Sequence, residues 1–159
     1  MVRKGIRIKI KIDTLVLALS SPLIVGIYNQ SSLIKTYRSN EPSSEALPKI
    51  FDEILRFYDI GTLFYTNGPG SFMSIKVSYV FLKSLSIALK IPLLACDGFT
   101  FNANSPIKAL GSQWFFKEEE GIVLKPNPKN EASQFILPLT LDKSLFENKN
   151  EPLYILPAV

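Results

Sequence analysis

Alternation and helical periodicity divide the first two thirds of the chain into legible stretches. Ile6, Ile8, Ile10 and Ile12 alternate with Arg7, Lys9 and Lys11, the period-two pattern of a strand with one basic face. Residues 15–19 and 23–28 are apolar runs separated by Ser20-Ser21-Pro22, which predicts a hairpin. After an Asn29-Gln30 turn, residues 31–37 continue as a third strand. Leu47, Ile50, Phe51, Ile54, Leu55 and Tyr58 then recur at i, i+3, i+4, i+7, i+8 and i+11, one face of a helix. Ser43 or Ser44 suits its N-cap, Glu45 its positive end and Pro48 its early turns, and Gly61 is its expected stop.

Residues 62–66 read as a short strand, followed by the turn Asn67-Gly68-Pro69-Gly70-Ser71. A second helix is predicted over 72–90, ended by Ile91-Pro92, and a strand over 93–96, closed by Asp97-Gly98. Strand, glycine turn, helix and strand make a βαβ unit whose two strands should run parallel. Beyond residue 104 the pattern weakens. A helix over 99–110 is interrupted by Pro106. The apolar runs at 122–124, 135–139 and 153–156 are separated by polar, proline-containing stretches, which predicts short strands and loops packed on the main body. The division is a basic arm or strand (1–13), an α/β body (14–104) and a reduced C-terminal segment (105–159).

Composition narrows the chemistry. A chain of 159 residues with 47% hydrophobic and 20% charged residues is a folded globule with room for one main domain. The net charge of +4 sits in the arm: Arg3, Lys4, Arg7, Lys9 and Lys11 precede the first acid, and the remaining 13 basic residues nearly balance 14 acidic ones. The body therefore lacks the basic footprint of a nucleic-acid binder. The arm reads as an edge strand protected by lysines, with an RNA-backbone contact as the alternative. No histidine is present, which removes the commonest general base and metal ligand. The single cysteine, Cys96, excludes an internal disulfide and suits a reducing, cytoplasmic setting. No uninterrupted apolar run approaches the ~20 residues that cross a bilayer, so no membrane role is expected.

The second helix carries the most information. Met73, Val77, Val80, Phe81, Ile87 and Ala88 form one apolar face, and Ile75, Tyr79, Leu82, Leu85 and Leu89 another. Lys76, Lys83 and Lys90 recur every seven residues as a narrow stripe. Ser74 and Ser78 lie between the faces, small enough for a neighbouring backbone to approach. One sheet covers one face; the other is covered by the rest of this chain or by another chain. Gly68-Pro69-Gly70-Ser71 matches neither a Walker loop nor a dinucleotide fingerprint, and reads as a tight turn with Ser71 as helix N-cap. Asp13, Asp52, Asp59 and Asp97 sit at turns or on polar faces, and residues 118–120 read as a solvated acidic turn. Cys96 has no activating base near it in sequence.

Asn67-Gly68-Pro69-Gly70-Ser71-Phe72, Ile75-Lys76-Val77, Lys83 with Leu85 and Leu89, and Ile91-Pro92-Leu93 resemble the TsaB signature G-P-G-S-F-T-G-L-R-x-G, A-K-G-L and I-P-L. Ser44-Glu45-Ala46-Leu47-Pro48 is similar to that family's H-S-E-x-L-L-P. The resemblance covers about residues 15–103. It implies an actin-like, ribonuclease H-like (ASKHA) half with a mixed sheet. It further implies a non-catalytic subunit that pairs with TsaD, the catalytic subunit of threonylcarbamoyladenosine synthesis on tRNA, and acts alongside the ATPase TsaE. ATP and metal then belong to the partner subunits, with none bound by this chain alone. The family's I-D-T-S after the first strand is Leu19-Ser20-Ser21 here, so the acid of a phosphate site is replaced; Ile12-Asp13-Thr14 spells the motif too far upstream. The expected partner surface is Ile54, Tyr58, Ile75, Ser78, Tyr79 and Leu82, with Ser71 and Phe72 fixing the helix start. The same helices could join two copies of the chain when it is alone. Two other readings stay open: a small nucleotide-binding relative, and an accessory that holds tRNA through the arm.

Overall fold

The computed structural model describes residues 8–155; Arg3, Lys4 and Arg7 of the basic arm lie outside the described residues. Strand β1 (Ile10–Leu17) fuses the end of the basic alternation to the first apolar run, so residues 10–13 belong to the sheet. It is followed by β2 (Leu23–Asn29), β3 (Ser32–Ser39), helix α1 (Ser43–Phe57), β4 (Tyr58–Thr66), helix α2 (Phe72–Leu89) and β5 (Leu93–Cys96). The sheet order is β3-β2-β1-β4-β5. β1, β2 and β3 form an antiparallel meander, whereas β1–β4 and β4–β5 are parallel. This is the mixed α/β sheet that the pattern predicts.

Two boundaries differ from expectation. α1 ends at Phe57 and β4 begins at the next residue, so Tyr58 stands in a strand and not on the helix. The helix closes without glycine because the Tyr58 N–H donates to the Ile54 carbonyl while the backbone turns extended. Gly61 is not the helix stop. It is the extra residue where the register shifts between Ile12↔Ile60 and Asp13↔Thr62, a bulge that bends β4. The caps also differ: Pro42 precedes α1, and neither it nor Ser71, which precedes α2, makes a side-chain cap bond.

Alternation along the strands builds two cores. Val16, Val25, Ile27, Leu63 and Tyr65 join Leu47, Phe51 and Ile54 of α1 and Leu82 of α2 on one face. Leu15, Leu17, Ile24, Tyr28 and Phe64 face the other way, under Phe101, Leu137, Leu141 and Phe146. Residues 105–155 thus supply the second covering layer, which a sequence reading limited to short strands and loops does not show. The predicted 99–110 helix is only a 3-10 turn over Gly98–Phe101. Beyond it lies a three-stranded antiparallel sheet of β6 (Ile107–Lys108), β7 (Gln113–Glu118) and β8 (Gly121–Pro126). The acidic run 118–120 ends β7 and forms its tight turn.

Helix α2 has 18 residues and a mean hydropathy of 1.4, long and apolar enough by length and composition to cross a bilayer. The expectation from uninterrupted runs missed this because Lys76 and Lys83 break the run. Its ends are joined to the parallel strands β4 and β5, and it crosses over one face of their sheet beside α1, the place of a crossover helix in a βαβ unit.

Candidate partner-binding surface

Of α2's two apolar faces, the sheet takes the one carrying Ile75, Ser78, Leu82 and Ser86. The serines stand where the helix lies against its neighbours. Leu82 is fully buried, and Ile75 and Ser78 are 2% exposed. Burying a leucine of this kind contributes about 1.5–3 kcal/mol. Phe81 leans toward α1, its ring centroid 5.5 Å from that of Phe51. Ile54 of α1 is also fully buried.

These placements correct the surface expected from sequence. Ile54, Ile75, Ser78 and Leu82 are interior to the chain and present nothing to a partner. Tyr79 is half-buried against the same core, and Tyr58 is half-buried in β4, opposite Ile10. Only Ser71 and Phe72 of that set are exposed. The reason is that both faces of α2 are comparably apolar, so side-chain type alone does not decide which one meets the sheet.

The face left outside is the other one. Met73, Val80 and Ile87 are 63%, 54% and 67% exposed, and with Val77 they form a continuous stripe at helical spacing. Between this stripe and the first turns of α1 lies a groove of about 480 Å³, walled by Ser43, Ser44 and Pro48 on one side and Met73, Val77 and Val80 on the other. At the head of α2, Phe72 stacks on Tyr154 with centroids 4.7 Å apart and rings 29° from parallel. Tyr154 has no signal in the sequence, because the contact joins segments eighty residues apart. The exposed stripe did have one: it is the face bordered by Lys76, Lys83 and Lys90.

The glycine turn does not form an open anion cradle. Strand order reverses between β1 and β4, the point where α/β sheets hold ligands, and the turns after these strands meet there. Leu19 occupies that point, 7% exposed, among Ile75, Phe99, Ile107 and Phe115. A Cβ on Gly98 would stand 2.3 Å from Leu19 Cδ1, and one on Gly68, whose φ is +131°, 2.7 Å from the Leu153 carbonyl oxygen. The Gly98 N–H donates to the Gly68 carbonyl at 2.9 Å and the Leu153 N–H to the Asn67 carbonyl at 2.7 Å. The chain's own groups therefore fill the crevice.

Asp13, the acid of the upstream Ile12-Asp13-Thr14, lies within β1 and pairs with Lys143 at 3.1 Å. Asp97 pairs with Lys117 at 2.5 Å, beside a mixed-charge cleft that includes Cys96, Glu147 and Glu151. Burial pushes the Cys96 thiol up to about 12, so it is not a thiolate at neutral pH. Among the described residues no three Cys, Asp or Glu side chains come together to hold a metal ion. Lys9 of the arm donates to the Leu55 carbonyl at 2.6 Å, near the C-terminus of α1 where a cation is favoured.

No family model matches the sequence, and no curated protein matches it. Solved structures do. YeaZ from Pseudomonas aeruginosa superposes with a TM-score of 0.57 at 13% identity, over 80% of this chain and 72% of that one. A protein described as having similarity to peptidase YeaZ from Pseudomonas aeruginosa gives 0.59 at 13% identity, over 80% and 71%. Likeness at this identity establishes architecture alone: the chain has a YeaZ-like (TsaB-like) mixed α/β fold.

Proposed function

We propose that this chain is a non-catalytic partner subunit that binds and supports a TsaD-like catalytic subunit in threonylcarbamoyladenosine modification of tRNA. The observation that carries the reading is the exposed apolar stripe of α2, Met73, Val80 and Ile87, beside its groove with α1 on a TsaB-like fold. Monomeric surfaces seldom leave so many large apolar side chains in one row. A helix face of this kind is suited to packing against another helix across an interface.

The rest of the chain supports an accessory role. Leu19 and its apolar neighbours fill the crevice where a nucleotide would sit, which counts against the nucleotide-binding alternative. The absence of histidine counts against a metallopeptidase activity. The test is co-expression with the TsaD homologue of the same genome, followed by affinity capture and gel filtration. A stable complex, lost on Val80→Glu in a chain that still folds, is the expected result. A folded chain that never associates with that homologue overturns the reading.

A further inference from the structure

The lysine row of α2 has a geometry of its own. Residues seven apart on a helix return to within about 20° of the same side, so Lys76 and Lys83 line the edge of the Met73–Val80–Ile87 stripe opposite Phe81, which leans on α1, and Lys90 follows as the left-handed C-cap residue of the helix. Successive lysines stand about 10 Å apart along the axis, at roughly 1.5 Å per residue. α2 contains no acidic residue, and among the described residues none of the three lysines takes part in an ion pair. The charged side chains of α1 behave differently: Lys49 pairs with Glu41 and Arg56 with Asp52. The uncovered surface is thus an apolar strip with an uncompensated cationic border on one side only.

We infer that the occupant of this face is a partner helix with an apolar stripe edged by acidic side chains, and that Lys76 and Lys83 set its direction and register. This rests on the partner-subunit reading and adds the partner's chemistry. The apolar strip holds the helix, and a one-sided border makes the reversed orientation electrostatically worse, since it would carry the acids away from the lysines to the α1 side, walled by Ser43, Ser44 and Pro48. An RNA backbone would use the lysines but leave the apolar stripe uncovered, so a protein helix fits the whole face better.

The experiment measures affinity of the full-length chain for the TsaD homologue by isothermal titration, at low and high sodium chloride. The variants are the parent, Lys76→Glu/Lys83→Glu and Lys76→Gln/Lys83→Gln, at one exposed and one half-exposed site. The inference expects parent affinity to fall with salt. It expects the double glutamate to weaken binding by roughly tenfold and to flatten or invert the salt dependence, with the glutamine pair in between. A complex that forms with the same affinity and salt response in all three overturns the inference and leaves the partner-subunit reading standing. No complex with any of them removes both. Unchanged protein pairing, with tRNA binding by the chain lost in the glutamate variant, assigns the row to RNA and overturns the inference.

Discussion

The side-chain amide of Asn150 donates to the backbone carbonyl of Leu93 at 2.8 Å, tying the C-terminal segment to the edge of the main sheet. The Tyr65 hydroxyl donates to the Asn150 carbonyl from the next strand, and Glu147 and Ala95 exchange backbone bonds at 2.8 and 3.0 Å. An edge strand left bare would be a template for pairing with other chains; here the chain's own tail occupies it. Asn150→Ala removes the amide donor and leaves the Leu93 carbonyl without that partner. It should lower stability by about 1–2 kcal/mol, read as a shift in the urea midpoint. A midpoint unchanged from the parent would show that the tail is held by the backbone bonds alone.

Gly98 and Leu19 share one space. A methyl group at residue 98 would meet Leu19 Cδ1 at 2.3 Å, with Ile107 and Phe135 close behind, so Gly98→Ala overpacks a buried site. The expected cost is about 1–3 kcal/mol. Leu19→Ala opens the same site and costs about 2–5 kcal/mol alone. Combined, the two should cost less than their sum, because the new methyl group enters the space the leucine vacates. Additive losses in urea melts would mean the two side chains do not compete.

The contrast between what the sequence revealed and what it hid is physical. β5 was readable to the residue, Leu93–Cys96, because a short apolar run stands between Pro92 and Asp97-Gly98. The β1–β2 hairpin was readable for the same reason, through Ser20-Ser21-Pro22. The α1–β4 junction was not, since Tyr58 continues the helical spacing and only pairing with Ile10 makes it extended. β7, with Trp114 and Phe115 buried, was missed because its apolar run is too short to show a period. Which face of α2 stays outside was not readable either: Leu82 and Val80 are equally at home inside or outside, and contact with the sheet decides. Ser78 and Ser86, buried beside Leu82, were the available signal, since small residues mark where a helix lies close to its neighbours.

Alkaline pH should destabilise the fold. Burial lifts the Cys96 thiol from an ordinary value of 9.0 to about 12, and burial likewise raises the Tyr28 and Tyr65 phenols. The unfolded chain releases the thiol proton near 9.0 while the folded chain holds it to about 12. The contribution is therefore fully present below the unfolded value and is lost as pH rises through the window between them. Urea midpoints at neutral pH and at pH ~10 should fall in the parent and fall less in Cys96→Ala. Native Cys96 should also react slowly with iodoacetamide at neutral pH. Equal pH slopes in the two proteins would assign the effect to the tyrosines.

Two substitutions two residues apart separate core from surface on α2. Val80 is 54% exposed, whereas Leu82 is fully buried. Val80→Glu places a charge in water beside Met73 and Ile87 and should change stability by no more than about 0.5 kcal/mol. Leu82→Glu forces a carboxylate under the sheet, where desolvation costs several kcal/mol, a large share of the roughly 5–15 kcal/mol that holds a domain together. The expected outcome is a cooperative melt for Val80→Glu close to that of the parent, and a collapsed or absent transition for Leu82→Glu. Capture of the TsaD homologue should fail for both, for different reasons. In Val80→Glu the failure is at a folded surface, where a charge facing an apolar partner removes an anchor and costs about 2 kcal/mol or more of binding. Retained capture by a folded Val80→Glu chain would place the partner elsewhere, and the Phe72–Tyr154 pair at the head of α2 would be the next surface to mutate.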